Sequence, residues 1–362
     1  MTGTLIKYLR RAGVQIGANA IYFSGVHGLP KAYYHFAKVK RHRERKVCPF
    51  AVLLYHRVND FQDPFFPALP VSVFDAQMGY LATHFKVISL SRLLDQVDQG
   101  IGIEPRTVAI TFDDGYRDNY LYAHPVLRKY GLPASLFVAT GYTDTSRVMW
   151  NDRIAGAIKH TTRRFMNLEL PDESLFVSLA SDRSKLEALS STLEKLKSLA
   201  ESQKTIITEE IVQQLGNGGA CCDRLMLGWA ELREMRNSGW EVGSHTVEHR
   251  ILTKISHSEM ESEVTDSKKI LEQELQTPIT VLAYPNGKEQ DFAAAIKESA
   301  QSAGYRAALT TMNGLNHEAF ERFAIHRISP WEEELALFAV KLEWLFWKSV
   351  AECKVASFDP LI

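Results

Sequence analysis

Two groups of side chains in this sequence could share one metal ion. Asp113 and Asp114 are adjacent within Thr111-Phe112-Asp113-Asp114-Gly115-Tyr116, and His245 and His249 lie four apart within Ser244-His245-Thr246-Val247-Glu248-His249. A carboxylate and two neutral imidazoles form a three-ligand set suited to Zn²⁺ or another divalent ion, with a position left for water. A neighbouring carboxylate outside that set can take a proton from the water as it attacks a carbonyl carbon. Histidines at this spacing share one face of a helical turn, which is the placement the spacing predicts. Taken singly, Asp-Asp-Gly also reads as a turn and His-x-x-x-His as a solvated helix face. Their joint occurrence, each after a short apolar run, points to a site.

The elements that must position them can be read from hydropathy. Phe50-Ala51-Val52-Leu53-Leu54-Tyr55 predicts a buried strand ending at His56, and Thr107-Val108-Ala109-Ile110 a second that delivers the two acids to its C-terminal end. Phe74, Met78 and Leu81 recur at helical spacing, Val87-Ile88 suits a short strand, and Ser91 is placed to cap a helix through Leu93, Leu94 and Val97. Residues 120–130 suit a helix ending at Gly131, and residues 134–140 a strand. Residues 229–237 suit a helix, Trp240-Glu241-Val242-Gly243 a strand leading to His245, and Val281-Leu282-Ala283 and Arg306-Ala307-Ala308-Leu309 further strands around a helix near residues 292–303. Strands alternating with helices imply parallel pairing through right-handed crossovers, hence an α/β sheet or barrel. In such folds chemistry gathers at the C-terminal ends of the strands.

Between residues 150 and 223 the rhythm changes. Leu186, Leu189, Leu193, Leu196 and Leu199 mark an amphipathic helix, so this stretch reads as a helical insertion ending near the turn Gly216-Asn217-Gly218-Gly219. The predicted division is a helical, basic extension over residues 1–47, a barrel over 48–330 carrying the insertion, and a C-terminal helix within 331–362.

With 45% hydrophobic and 23% charged residues, the chain has the composition of a globular protein. Its 42 basic and 43 acidic side chains leave a net charge of −1, so nothing calls for nucleic acid as partner. Charge is concentrated only at Lys38, Lys40, Arg41, Arg43, Arg45 and Lys46, a solvated face or a contact for anionic lipid. The four cysteines, Cys48, Cys221, Cys222 and Cys353, show no C-x-x-C spacing and favour a reducing compartment. The segment from Ala12 to Phe23 is interrupted by Gln15 and Asn19. It reads as an amphipathic helix or peripheral anchor rather than a signal peptide or a membrane span. A cytoplasmic protein, or one peripheral at the inner membrane, is the expectation; the oligomeric state is not legible.

Thr111 to Gly115 matches T-F-D-D-G, and His245 to His249 matches H-[ST]-x-x-H, both without a gap. On these motifs the chain resembles the polysaccharide deacetylase family, also called the NodB-homology or carbohydrate esterase 4 family, over roughly residues 50–329 with the insertion set aside. The resemblance implies an α/β fold of the NodB type, a distorted, incomplete (β/α) barrel holding a divalent ion, Zn²⁺ first and Co²⁺, Mn²⁺ or Ni²⁺ as alternatives. It implies hydrolysis of N-acetyl groups on an amino-sugar-containing glycan or lipid-linked sugar precursor, such as that of an exopolysaccharide, giving acetate and a free amine. By position, Asp113 would be the general base, and Asp114, His245 and His249 the metal ligands. Tyr116 would offer its backbone N–H to the developing oxyanion.

A third family motif, commonly R-x-P-x-G, aligns with Ala283-Tyr284-Pro285-Asn286-Gly287, where Ala283 replaces the arginine. Arg327 is a candidate for the missing charge, and with Tyr284 and Pro285 is expected near the substrate. The family's L-x-H, which carries the general acid, has its letters in Leu315-Asn316-His317, within a predicted loop. His56 at the end of the first strand is better placed, with His326 a further candidate. Trp150, Tyr284 and Trp331 are available either to stack on sugars or to fill the core.

Two other readings compete. His245-Thr246-Val247-Glu248-His249 fits the H-x-x-E-H signature of inverted zinc peptidases, with Glu248 as base and Glu318 or Glu321 as a third ligand. The missing arginine also allows a carbohydrate-binding protein without catalysis on the same fold.

Overall fold

The computed structural model describes residues 48–216, 224–317 and 319–355. The basic run at residues 38–46, the segment from Ala12 to Phe23, most of the Gly216–Gly219 turn, Cys221, Cys222 and Glu318 lie outside these.

In chain order the first half contains β1 (Phe50–Tyr55), α1 (Val71–His84), β2 (Lys86–Val87), α2 (Leu90–Asp98) and β3 (Thr107–Phe112). A π-helical turn, Asn119–Ala123, then runs into α3 (His124–Tyr130), and β4 (Ser135–Val138) follows. Every residue of β1 and β3 is buried, as expected of parallel strands covered on both faces. Ser89, not Ser91, caps α2: its hydroxyl accepts from the Arg92 N–H, and the Ser91 N–H and hydroxyl turn to Glu241. The predicted stop at Gly131 takes the left-handed conformation with φ 63°.

After the insertion come α7 (Trp229–Asn237), β7 (Glu241–Ser244), α8 (His257–Leu275), β8 (Val281–Ala283), α9 (Ala294–Ser302), β9 (Ala307–Asn313), β10 (Ile325–Arg327) and α10 (Leu335–Val355). The insertion consists of α4 (Trp150–His160), β5 (Phe165–Glu169), β6 (Ser174–Ser178), α5 (Asp182–Ser198) and α6 (Glu201–Leu215), the labels counting along the chain.

Strands pair in the order β1-β3-β4-β7-β8-β9-β10, all in parallel, and β2 pairs with the start of β3. The sheet curls until β10 reaches β1: the Leu54 N–H donates to Ile328 O at 2.9 Å and the Ile328 N–H to Val52 O at 2.8 Å, across a parallel bridge between Leu53 and Ile328. The result is a nearly closed, distorted (β/α) barrel of the NodB type, with short β8 and a register shift in β10. The strands run the same way, so their C-terminal ends converge on one rim.

The insertion has its own core, in which Ile154, Ile158, Met166, Leu168, Leu196 and Ile211 are buried. It is not wholly helical. β5 and β6 form an antiparallel hairpin because Met166 and Leu168 alternate with exposed neighbours, a period of two that the leucine pattern downstream overshadowed. α10 packs on α1 through Phe338 and Phe346, and Glu343 accepts from Tyr80 Oη at 2.9 Å while pairing with Arg106. Among the described residues no helix is long and apolar enough to cross a membrane.

Candidate active site

The rim gathers the ends of β1, β3, β7 and β10. Asp113 and Asp114 follow β3, and the Asp113 N–H donates to Tyr55 O at 3.1 Å, which ties the acids to the end of β1, where His56 begins. Asp114 has φ 73° and is followed by Gly115 at φ 84°. A left-handed aspartate is uncommon, and the pair of such residues turns the chain so that the two carboxylates face different partners.

Asp114 faces the histidines. Its Oδ1 lies 3.4 Å from His245 Nε2 and 3.3 Å from His249 Nε2. One ligand atom from each of the three falls within 4.8 Å of the others. His245 Nδ1 is 2.8 Å from Ala283 O, an acceptor only, so the proton sits on Nδ1 and the Nε2 lone pair points to Asp114. These donors fit a divalent ion: one carboxylate oxygen, one imidazole with its tautomer fixed, and a second imidazole beside it.

The histidines do not share a helical turn. His245 ends β7, and residues 245–250 form a loop in which Thr246 has φ 66° and His249 φ 53°. What replaces helical hydrogen bonding is Glu263 on α8, buried to 5% exposure, whose Oε2 accepts from the Val247 and Glu248 N–H groups, each at 2.8 Å. The carboxylate holds a left-handed loop that sequence spacing alone does not describe.

Asp113 faces Arg327. Nη1 donates to Oδ1 at 2.8 Å and Nη2 to Oδ2 at 2.7 Å, while Nε donates to Thr310 O at 2.7 Å. Arg327 is 1% exposed and reaches Asp113 from β10, so the guanidinium absent at Ala283 is present from a different strand. Burial pushes the Asp113 carboxyl up, but the Arg327 guanidinium, with His245 and His56, outweighs it and holds the group below the usual carboxylate range. Burial likewise acts against ionised Asp114, and its contacts with His245 and His249 bring it well below that range. For His245, burial opposes the charged form, yet Asp113 and Asp114 raise its affinity for a proton; burial, with nearby His245 and Lys204, leaves His249 lowered. A bound ion requires both rings neutral, with a ring nitrogen lone pair on each free to ligate.

His56 is half-buried, directly after β1. Its Nδ1 is buried without a hydrogen-bond partner, and its ring stacks on Trp331 with centroids 6.5 Å apart. Trp331 is 49% exposed, whereas Trp150 faces the insertion with Lys204 Nζ 4.6 Å from its ring centre. Tyr116 forms a bridge with Met226 whose two hydrogen bonds, Arg117 N–H to Leu225 O and Leu227 N–H to Gly115 O, leave the Tyr116 N–H unused.

Three expected substrate contacts are corrected. Tyr284 is fully buried, stacked on Phe292 with its hydroxyl on Phe323 O; Pro285 is buried beside it; and Arg327 is committed to Asp113 and Thr310. Polar atoms already satisfied in the core cannot meet a glycan without breaking those bonds. His317 and His326 are not at the rim. Asn316 bridges Phe50 at the opposite end of β1, and both histidines line a separate cavity with Phe320 and Glu321. Glu248, the base of the peptidase reading, is held by Arg147 Nη1 at 2.8 Å on Oε1 and by Nη2 on Oε2; Glu321 pairs with Lys297 at 2.5 Å.

Sequence reasoning did not find Glu263 or a buried group beneath Tyr116. Glu263 carries a signal, since it sits on the stripe of Met260, Val264, Ser267 and Leu271 where an apolar residue is expected. Under Tyr116, the hydroxyl donates to Asp152 Oδ2 at 2.8 Å, and Arg57 lies over the ring at 4.6 Å while donating to Asp118 at 2.8 Å. Burial drives the Asp152 carboxyl up to about 6. Nothing in its sequence neighbourhood marks it out, as an acid in the first turn of a helix is ordinary.

Comparison with known proteins bears on the family and the fold. A family model described as polysaccharide deacetylase matches residues 102–308. A putative polysaccharide deacetylase of Bacillus subtilis, YxkH, is 22% identical over 287 residues, covering 79% of this chain and 73% of its own. Among solved structures, IcaB from Ammonifex degensii superposes with a TM-score of 0.53 at 18% identity over 81% of this chain and 99% of that one. The deacetylase PplD of Streptococcus pyogenes gives 0.51 at 18% over 78% and 92%. At such identities the structural likeness is one of fold, and the sequence model carries the family. The chain belongs to the polysaccharide deacetylase family.

Proposed function

We propose that this protein is a metal-dependent N-deacetylase that removes acetyl groups from an amino-sugar-containing glycan or lipid-linked precursor. One observation carries the reading: Asp114, His245 and His249 converge at ligand distances, and beside them stands Asp113, ionised and oriented by Arg327. An ion held by these three residues, Zn²⁺ first among the candidates, supplies Lewis-acid polarisation and water activation.

The chain's own residues account for the proton traffic. Asp113 retains a free lone pair on each oxygen after binding Arg327, and accepts the proton of the water that attacks the acetyl carbonyl carbon. The Tyr116 N–H donates to the oxygen on which negative charge develops. As the C–N bond breaks, the leaving nitrogen takes a proton from His56, and the products are acetate and a free amine. Trp331, exposed and stacked on His56, offers an apolar face to a sugar ring. The alternative of binding without catalysis was prompted by Ala283; Arg327 beside Asp113 weighs against it.

The test is acetate release from N-acetylglucosamine oligomers by purified protein, before and after chelation and re-addition of metal, with Asp113→Asn in parallel. Metal-dependent release that vanishes in the variant supports the reading. A near-normal rate in Asp113→Asn would sink it.

A further inference from the structure

The ring of Tyr116 belongs neither to the core of the barrel nor to that of the insertion. It sits in a small cluster of its own with Ala139, Tyr142, Met149 and Met226, where the barrel gives way to the insertion. Two groups grip the buried ring. Arg57 covers its face at 4.6 Å and is itself fixed to Asp118 Oδ2 at 2.8 Å, an oxygen that also accepts from Asn59 Nδ2 at 2.9 Å. At the far end the Tyr116 hydroxyl donates to Asp152 Oδ2 at 2.8 Å. Asp152 is buried in the first turn of α4, the helix with which the insertion begins, and the chemistry proposed above makes no use of it.

The backbone at Tyr116 needs a hold of this kind. Asp114 and Gly115 before it are both left-handed, at φ 73° and 84°, and a glycine there leaves the next peptide more freedom than any other residue allows. Opposite Tyr116, the two hydrogen bonds to Leu225 and Leu227 make an isolated bridge rather than part of a ladder, so no neighbouring rungs share the restraint. A ring fixed at its face and at its tip restrains the Cα, and with it the peptide plane that carries the N–H. Without Asp152 the hydroxyl would be buried with no acceptor, a cost relieved only if the ring moves and draws the backbone with it.

We propose that Asp152 is a positioning residue: through the Tyr116 hydroxyl, the first helix of the insertion sets the direction of the Tyr116 backbone N–H, so that the oxyanion donor is in place only when the insertion is docked. The inference rests on the deacetylase reading for what the N–H does, while its direction can be measured without turnover.

The experiment compares wild type, Asp152→Ala, Asp152→Asn and Tyr116→Phe, zinc-loaded and selectively labelled with nitrogen-15 tyrosine. It is run at about pH 8, above the value of about 6 to which burial raises Asp152, so that the carboxylate only accepts. The Tyr116 amide signal, assigned by its disappearance in Tyr116→Phe, should be single and sharp in wild type and Asp152→Asn, and broadened or split in Asp152→Ala. In acetate release from N-acetylglucosamine oligomers, Asp152→Ala and Tyr116→Phe should each lose about tenfold or more in kcat, with KM and one ion per chain retained. Asp152→Asn, which keeps an acceptor, should recover to within about threefold of wild type, and the double variant Tyr116→Phe/Asp152→Ala should fall no further than either single one. A wild-type amide signal or kcat in folded Asp152→Ala would overturn the proposal, as would an Asp152→Asn as impaired as Asp152→Ala. If Asp152→Ala does not fold, Tyr116→Phe labelled with nitrogen-15 phenylalanine carries both readouts. No acetate release by wild type sinks the deacetylase reading alone, because the amide signal still decides whether Asp152 places the N–H.

Discussion

Arg327 and Asp113, 214 residues apart, meet through two parallel hydrogen bonds of 2.8 and 2.7 Å in the interior of the barrel. The planar fork fixes the plane of the carboxylate, which a lysine could not do. Arg327→Gln leaves a buried carboxylate uncompensated and should cost about 3–5 kcal/mol of stability at neutral pH, read by denaturant unfolding. Asp113 is depressed in the folded state, so its pairing stabilises above the unfolded value of about 3.9 and the gain is lost as pH falls through the lower folded value. The difference between wild type and variant should therefore shrink on acidification, beginning where the uncompensated carboxyl of the variant takes up its proton. In Arg327→Lys, which retains the charge, the acid limb of kcat/KM should move upward; an unmoved limb would show that the fork does not set the base.

Asp113→Asn should lower kcat by about 10²–10⁴, the usual worth of a general base, while still binding one ion per chain. His245→Ala and Asp114→Ala should lose the ion itself. Metal content by atomic emission, set beside turnover, separates the roles, and loss of metal in Asp113→Asn would reverse the assignment.

Replacing His56 by Ala should reduce kcat by about tenfold or more, since the proton donor to the leaving amine is gone. His317→Ala and His326→Ala, at the far cavity, should stay within about twofold of wild type. Equal losses in all three would indicate damage to the fold in place of a missing acid.

Asp152 allows a prediction of stability against pH. Its carboxyl is raised by burial to about 6, so between the ordinary value near 3.9 and about 6 the folded state binds the proton more tightly than the unfolded chain. Stability from this group is present below that window and declines as pH rises through it, by about 3 kcal/mol in total. Asp152→Asn, which keeps an acceptor for Tyr116, should gain on wild type between pH 4 and pH 7 in Tm. Parallel curves would mean that Asp152 does not titrate there.

Chelation should abolish acetate release and leave the barrel largely folded, because the strands are held by their own ladders and core and the ion joins only one rim. Circular dichroism before and after chelation checks this; coincident loss of fold and activity would give the ion a structural role.

The strands were legible because β1 and β3 are unbroken runs of buried residues; the acids follow such a run, and the histidines follow the short, partly buried β7. Their geometry was less so. The His245–His249 loop obeys Glu263, through contacts across 16 and 15 residues that no local spacing encodes. The hairpin β5–β6 was hidden by its short period beside a long leucine pattern. Ala283 made the base look unsupported, because a linear motif assigns a charge to one strand, whereas every strand end of a barrel points toward the same rim. Tyr284 stayed open between a sugar contact and the core because aromatic type alone does not tell a core ring from an exposed one.

The bridge from Leu53 to Ile328 has a consequence for the candidate site. The three candidate ligands all precede residue 250 in the chain, whereas Arg327, the partner of Asp113, lies on the last strand, which closes against the first. The candidate ligand set and the partner of Asp113 thus come from different stretches of the chain, and a barrel left open at this seam would hold Asp113 without Arg327. The seam of the barrel thus ties the orientation of Asp113 to the contact between the first and last strands of the sheet.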